Sequence, residues 1–261
     1  MSNVIAEIGT KAPVIDKNEF ISHALDLMDK YKTRRLLVLK EDEVYGVLTL
    51  RGIMRTLGRR RTSILPPSSL HVTSAVTDNY IIDEGEMSIE EAKKHLSSGK
   101  EVIIYKEEEW KWIEPKHLLE HFNVHHNIEG IASDVMIESY PVHPKDRLVH
   151  ARRIMIERDV GRLPVLDEGE LVGILTEYDV ANAMRAFREL VPTNYQENRV
   201  RMILVEDVMS RNVIYFELFT PLEEVVKTLL EHDIGGAPVL DGIGELAGML
   251  NRRTILRRIG K

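Results

Sequence analysis

The chain has 261 residues, 43% hydrophobic and 30% charged, with a formal net charge of −7 and no cysteine. This composition is that of a soluble globular protein, and it excludes disulfides, thiolate metal sites, a cysteine nucleophile and a generally basic polyanion binder. No apolar run is long enough to span a bilayer and MSNVIAEIGTKAP lacks a basic-then-apolar leader, so a cytoplasmic location without membrane contact is expected. The near absence of glutamine beside abundant Arg, Lys and Glu leans toward a thermophilic source.

Along the chain, Ala24, Leu27 and Met28 predict a first helix. RRLLVLKEDEVYGVLTLRG, from Arg34 to Gly52, then reads as an apolar strand, an acidic turn and a second apolar strand. Pro66, Pro67 and Ser68 mark a connector. Ser88 to Glu91 reads as a capping box before Ile89, Ala92 and Leu96, and GKEVIIYKEEEWKWIEPKH, from Gly99 to His117, repeats the strand-turn-strand pattern. Leu148, Ala151, Met155 and Val160 predict a third helix ahead of GRLPVLDEGELVGILTEYD, from Gly161 to Asp179. Val191-Pro192-Thr193-Asn194 reads as a linker. Thr220-Pro221-Leu222-Glu223 reads as a capping box with proline at the first helical position. The stripe Leu222, Val225, Val226, Leu229 and Leu230 comes next, then GGAPVLDGIGELAGMLNRRT from Gly235 to Thr254. A short helix succeeds each second strand, as in Val180 to Met184 and Ile255 to Ile259. One β-α-β-β-α unit is therefore expected four times, over 1–58, 70–123, 131–188 and 201–261. Units this small bury little alone and should pair, one with two and three with four.

The phrases RLPVLD, LVGILTEYD and GGAPVL, with Asp134-Val135-Met136 and Asp207-Val208-Met209 preceding the third and fourth copies, resemble CBS domains. Two pairs in one chain resemble the four-repeat class that includes the gamma subunit of AMP-activated protein kinase and its archaeal stand-alone relatives. The resemblance implies an α/β (α+β) fold of four CBS repeats paired into two disc-like Bateman modules. It further implies a non-enzymatic, energy-sensing or regulatory protein that holds AMP, ADP or ATP between repeats three and four, with no other cofactor. An unidentified regulated protein would be its partner, and discs of this kind can dimerise.

Physical reading of the third copy points to Thr176 and Asp179 at the start of a helix, where an Asp carboxylate can accept two hydrogen bonds from vicinal ribose hydroxyls and the helix dipole favours an anion. Arg162, beside the first strand, can pair with phosphate oxygens. The resemblance adds Met209 and Ile214, then Ile234 and Gly235, as the slot for adenine. Thr176 to Asp179 fits a helix cap equally well, and the resemblance favours the ligand reading. At the Asp179 position the other copies carry Gly52, His117 and Thr254, so one complete ribose site is expected. Arg35, Thr49, Arg51, Asn251 and Arg253 are candidates for a second site. An S-adenosyl ligand, or a scaffold without ligand, are the alternatives.

His117, His121, His125 and His126 have a spacing that can ligate zinc, but no carboxylate cluster or cysteine completes a site and no metal is expected. The clusters Arg55, Arg59, Arg60, Arg61 and Arg252, Arg253, Arg257, Arg258 lack interleaved aromatics, which argues against nucleic acid. Trp110 and Trp112 alternate on a strand and read as core or partner-facing residues. No Gly-rich phosphate loop, nucleophile elbow or paired-His helix is present, so no catalytic residue is assigned.

Overall fold

The computed structural model describes residues 5–58, 65–125, 128–191, 199 and 202–259. Arg59 to Arg61, His126 and Pro192 to Asn194 lie outside them.

Repeat one is preceded by β1 (Thr10–Lys11) and contains β2 (Val14–Asp16), α1 (Ile21–Lys30), β3 (Arg35–Lys40), β4 (Glu43–Thr49) and α2 (Leu50–Leu57). Repeat two is preceded by β5 (Val76–Thr77) and contains β6 (Tyr80–Asp83), α3 (Ile89–Ser97), β7 (Glu101–Lys106), β8 (Glu109–Ile113) and α4 (Pro115–His125). In repeat three, α5 (Leu148–Glu157), β9 (Arg162–Asp167), β10 (Glu170–Thr176) and α6 (Glu177–Leu190) come after a single parallel bridge between Val142 and Val165, which stands in for its first strand. Repeat four contains β11 (Phe216–Glu217), α7 (Leu222–Glu231), β12 (Gly236–Leu240), β13 (Leu246–Asn251) and α8 (Arg252–Arg258). The first strand lies parallel to the second in repeats one, two and four, and the second and third form an antiparallel hairpin in all four. This is the mixed α/β unit that the sequence pattern predicts.

Two helix boundaries differ from expectation. Val160 lies beyond α5, because Asp159 takes a left-handed φ of 54° and turns the chain off the helix axis; Val160 still packs on the core. Thr220 does not cap α7. Its Oγ1 accepts from the Glu217 N–H at 3.0 Å, the cap position falls on Pro221, and the Leu222 N–H donates to the Gly130 carbonyl at 3.0 Å instead. The Ser88 box forms as expected, with Ser88 Oγ accepting from Glu91 N–H and Glu91 Oε2 accepting from Ser88 N–H.

The fold divides into two compact units with separate cores. Repeats do not share cores as expected, one with two and three with four: the odd unit joins repeats one and three over Pro13–Asp78 and Tyr140–Asn212, because the apolar helix faces of alternate repeats bury against each other. The even unit joins repeats two and four, using the chain up to Ala12, Asn79–Ser139 and the chain from Val213. In the odd unit, Leu25, Met28, Ile53, Met54 and Leu57 of repeat one bury against Leu148, Ala151, Met155, Val180 and Met184 of repeat three. In the even unit, Ala92, Leu96, Leu118 and Phe122 bury against Val225, Leu229, Ile255 and Leu256. Each fully buried Leu, Ile or Met of these faces contributes about 1.5–3 kcal/mol, which is how repeats too small to stand alone acquire a core. Trp112 is 2% exposed, while Trp110 packs on Tyr105 with the rings tilted by 36° and their centroids 4.3 Å apart.

The segment leading into each repeat is laid on its sequence neighbour. β1 pairs with β8, β5 with β4, Ile137 bridges Met249, and Ser210 bridges Ile174. The two Asp-Val-Met segments explain their own recurrence. Asp134 Oδ2 accepts from Ile131 N–H and Asp207 Oδ2 from Leu204 N–H, closing 3₁₀ turns, and the methionines after them come down on glycines of the neighbouring hairpin. A Cβ on Gly173 would lie 2.6 Å from Met209 Sδ, and one on Gly248 would lie 3.2 Å from Met136 Sδ. Glycine at these strand positions therefore permits the close approach of the incoming methionine.

Candidate functional site

The start of α6 in the odd unit assembles the predicted sugar and phosphate residues. β10 delivers Thr176 as the N-cap, and the antiparallel register sets Thr176 directly opposite Arg162 on β9. Ser210 bridges Ile174, two residues before Thr176, and this places Met209, 8% exposed, on the same strand against Gly173. Arg162, Thr176, Asp179 and Met209 are thus brought together in one unit. Ile214, Ile234 and Gly235 belong to the even unit. There Ile214 and Ile234 pack on the core, and the Gly235 carbonyl accepts from the Arg252 N–H at 3.1 Å at the start of α8.

Thr176 and Asp179 bond to each other at the start of α6. Asp179 Oδ2 accepts from Thr176 N–H at 2.8 Å and from Thr176 Oγ1–H at 2.7 Å, while Asp179 N–H donates to Thr176 Oγ1 at 3.3 Å. That is a closed capping box on one carboxylate oxygen. The other oxygen, Oδ1, has no hydrogen-bond partner among the described residues, and the side chain is half-buried. A half-buried carboxylate with one oxygen held and one open is a preorganised acceptor for hydroxyl donors.

The backbone of the same turn is less open to an anion than the sequence implies. The Glu177 N–H donates to the Gly161 carbonyl at 3.1 Å and the Asp179 N–H to Thr176 Oγ1, so two of the first three helix amides are already engaged. The helix start also carries an ion-pair cluster that no local pattern reveals. Arg51 of α2 donates through Nε to Glu177 Oε1 at 2.5 Å and through Nη1 to Asp159 Oδ1. Burial alone would lower the Arg51 pKa, but Glu177 and then Asp159 outweigh it and hold the guanidinium above its ordinary value. Beside it Tyr178 Oη donates to Asp29 Oδ1 at 2.9 Å. Glu177 and Arg51 are 126 positions apart, so only the fold brings them together. Arg51, a candidate for a second phosphate site, here clamps repeat one to repeat three.

The equivalent positions of the other repeats are occupied by the protein itself. A Cβ on Gly52 would overlap the Ala75 carbonyl oxygen, so no acidic side chain fits there, and Thr49 Oγ1 caps the Gly52 N–H at 3.0 Å. His117 is 3% exposed, and its Nδ1 accepts from the Glu114 N–H at 3.1 Å. Thr254 is 7% exposed and folds back on Asn251, whose Oδ1 accepts from the N–H groups of Arg253 and Thr254. Arg253 reaches Glu101 at 3.5 Å, and Arg35 stands opposite Thr49 in the β3–β4 register. Among the described residues, no group of three or more His, Asp or Glu is placed to hold a metal ion, and no helix is long and apolar enough to cross a membrane.

Comparison with known proteins agrees with this architecture. The CBS domain pattern is matched over residues 5–59, 132–186 and 205–261. A CBS domain-containing protein of Dictyostelium discoideum is 35% identical over 100 residues, which span 37% of this chain and 68% of that protein. MJ1225, an uncharacterized protein of Methanocaldococcus jannaschii, is 29% identical over 130 residues, 49% of this chain and 44% of that protein. Its crystal structure, described as that of a proposed archaeal homolog of g-AMPK, superposes with a TM-score of 0.84 over 98% of this chain and all of the other, at 21% sequence identity, and so shares the fold. The L-aspartate semialdehyde sulfurtransferase of the same organism is 29% identical over 119 residues, 45% of this chain and 21% of the enzyme. The chain thus spans about a fifth of the sulfurtransferase and under half of the MJ1225 sequence in these alignments. With three segments matched that together exceed half its length, the chain belongs to the CBS domain family.

Proposed function

We propose that the chain is a non-enzymatic regulatory protein that binds an adenine nucleotide (AMP, ADP or ATP) at the start of α6. Asp179 and Thr176 take the sugar, Arg162 takes phosphate and Met209 flanks the base. The observation that carries the reading is the open Oδ1 of Asp179, held in place by a box that uses only Oδ2. Two hydroxyl donors on this carboxylate contribute about 1.5–3 kcal/mol each as charge-assisted hydrogen bonds. Binding shifts the conformer population, and a partner protein reads that shift. The test is thermal stabilisation by AMP in the wild type and in Asp179→Ala. The reading requires the AMP-dependent shift to vanish in the variant while its basal stability falls only by the loss of the cap, about 1 kcal/mol. An undiminished shift overturns the assignment.

A further inference from the structure

We propose that the turn tips of repeat four, at one end of the β11–β12–β13 sheet, are a docking surface for a segment of another protein that presents a large apolar side chain flanked by Lys or Arg. This surface lies in the even unit and owes nothing to the nucleotide reading at α6.

Two side chains anchor it. Phe219, 78% exposed, and Ile243, 81% exposed, stand on neighbouring turns: β11 and β12 run parallel, the Leu218 N–H donates to the Leu240 carbonyl at 3.1 Å, and both strands end in turns at the same end of the sheet. Both turns are closed by their own hydrogen bonds. The Thr220 N–H donates to the Glu217 carbonyl at 3.0 Å while Thr220 Oγ1 accepts from the Glu217 N–H, and Asp241 Oδ1 accepts from the Ile243 and Glu245 N–H groups at 3.0 and 2.9 Å. The two apolar side chains are therefore held in water by a fixed backbone, the preorganisation that lowers the cost of binding. The other repeats show that the unit does not require them. Three residues before the matching helix, where repeat four has Phe219, repeats one, two and three carry Asn18, Glu86 and Lys145, and their hairpin tips carry Glu41-Asp42, Glu107-Glu108 and Glu168-Gly169 in place of Gly242-Ile243.

Charge selects the occupant. Residues 128–134, which hydrogen-bond along the Phe219 turn, together with 214–226 and 240–247, hold Asp and Glu but no Lys, Arg or His. Glu223 and Glu224 suit the start of α7 through its dipole, but Glu217 and Glu245 flank the two anchors with no such role. Both are exposed, and neither forms an ion pair among the described residues. An apolar pair flanked by unpaired carboxylates fits a segment with one large apolar residue between cations, and the net charge of −7 favours the approach of such a segment. A second copy does not fit, because a symmetric contact would set the same carboxylates against each other.

The experiment pans a displayed library of random short peptides against the full chain. Recovered peptides are then measured by fluorescence anisotropy against wild type, Phe219→Ser, Ile243→Ser and the double variant Glu217→Gln with Glu245→Gln. These positions are exposed, so an unchanged melting temperature reports intact folding in each variant. The expected peptides carry Lys or Arg around a Phe, Leu, Ile or Trp. Each serine variant should weaken them about fivefold or more, the scale of losing an anchor, and the glutamine pair should weaken them and flatten their salt dependence. Recovered peptides that are neutral or acidic, or that bind the serine variants undiminished, overturn the proposal, as does a library that yields no binder. In sedimentation, a wild type that self-associates and is returned to a smaller species by Phe219→Ser makes the occupant a second copy, which also overturns it. AMP binding at Asp179 stands or falls separately from every one of these outcomes.

Discussion

Repeat one keeps the strand, threonine and helix of repeat three yet carries Gly52 where repeat three has Asp179, and the structure predicts the cost of restoring a side chain there. Position 52 is the third residue of α2, with ordinary helical surroundings, so propensity alone gives Gly52→Ala about 0.5–1 kcal/mol of added stability. Packing opposes this. The new Cβ would stand 3.2 Å from the Ala75 carbonyl carbon and overlap its oxygen. That backbone is poorly placed to yield: Ala75 N–H donates to Val72 O at 3.0 Å, Thr56 Oγ1 donates to Ser74 O at 2.9 Å, and Val76 is paired with Leu48. Overpacking against fixed backbone costs roughly 1–3 kcal/mol, so the net change is a loss of about 1–2 kcal/mol. At about 2–4 °C per kcal/mol for a chain of this size, thermal denaturation should show Gly52→Ala melting some 2–8 °C lower, and Gly52→Asp lower still. Gly52→Asp should also gain no nucleotide equivalent in calorimetry, because Ala75 occupies the place its carboxylate needs. A melting temperature that rises in Gly52→Ala, or a second binding equivalent in Gly52→Asp, would refute the reasoning.

Ser88→Ala removes a closed capping box and should cost about 1 kcal/mol in chemical denaturation, whereas Thr220→Ala, at a residue that caps no helix, should change stability by less than about 0.5 kcal/mol. Gly173→Ala should lose about 1–3 kcal/mol by pressing on Met209, and Met209→Ala should lose at least about 2 kcal/mol of burial. The double variant should lose less than the sum by about 0.5–3 kcal/mol, and strict additivity would deny the contact. Arg51→Ala unpairs Glu177 and should destabilise the odd unit by more than the roughly 0–1 kcal/mol of an exposed ion pair; urea unfolding that shows no change would remove Arg51 from the clamp.

The strands, hairpins and helices were readable because each repeat carries its own period and turn residues, and the Ser88 box was readable because all its atoms lie within four consecutive residues. The Thr220 box misled for the converse reason. A Ser/Thr-x-x-Glu pattern does not reveal that a distant carbonyl, Gly130, already serves the helix amide. At the site, Thr176 and Asp179 were legible as neighbours in a turn. The Arg51–Glu177–Asp159 cluster was not, since it depends on which repeats share a core: alternate repeats, not consecutive ones, pack their helices together in each unit. For the same reason Met209 falls with repeat three through the exchanged segment before repeat four, while Ile214, Ile234 and Gly235 fall in the even unit.

The central claim is that Asp179 at the start of α6 holds an adenosyl ligand. Native mass spectrometry of the intact chain, as purified and after addition of AMP, tests it most directly. The account predicts a mass increment of a single adenosyl ligand on the wild type, absent under the same conditions from Asp179→Ala. A wild type that stays bare even with AMP present, or an increment equally strong in Asp179→Ala, would contradict it.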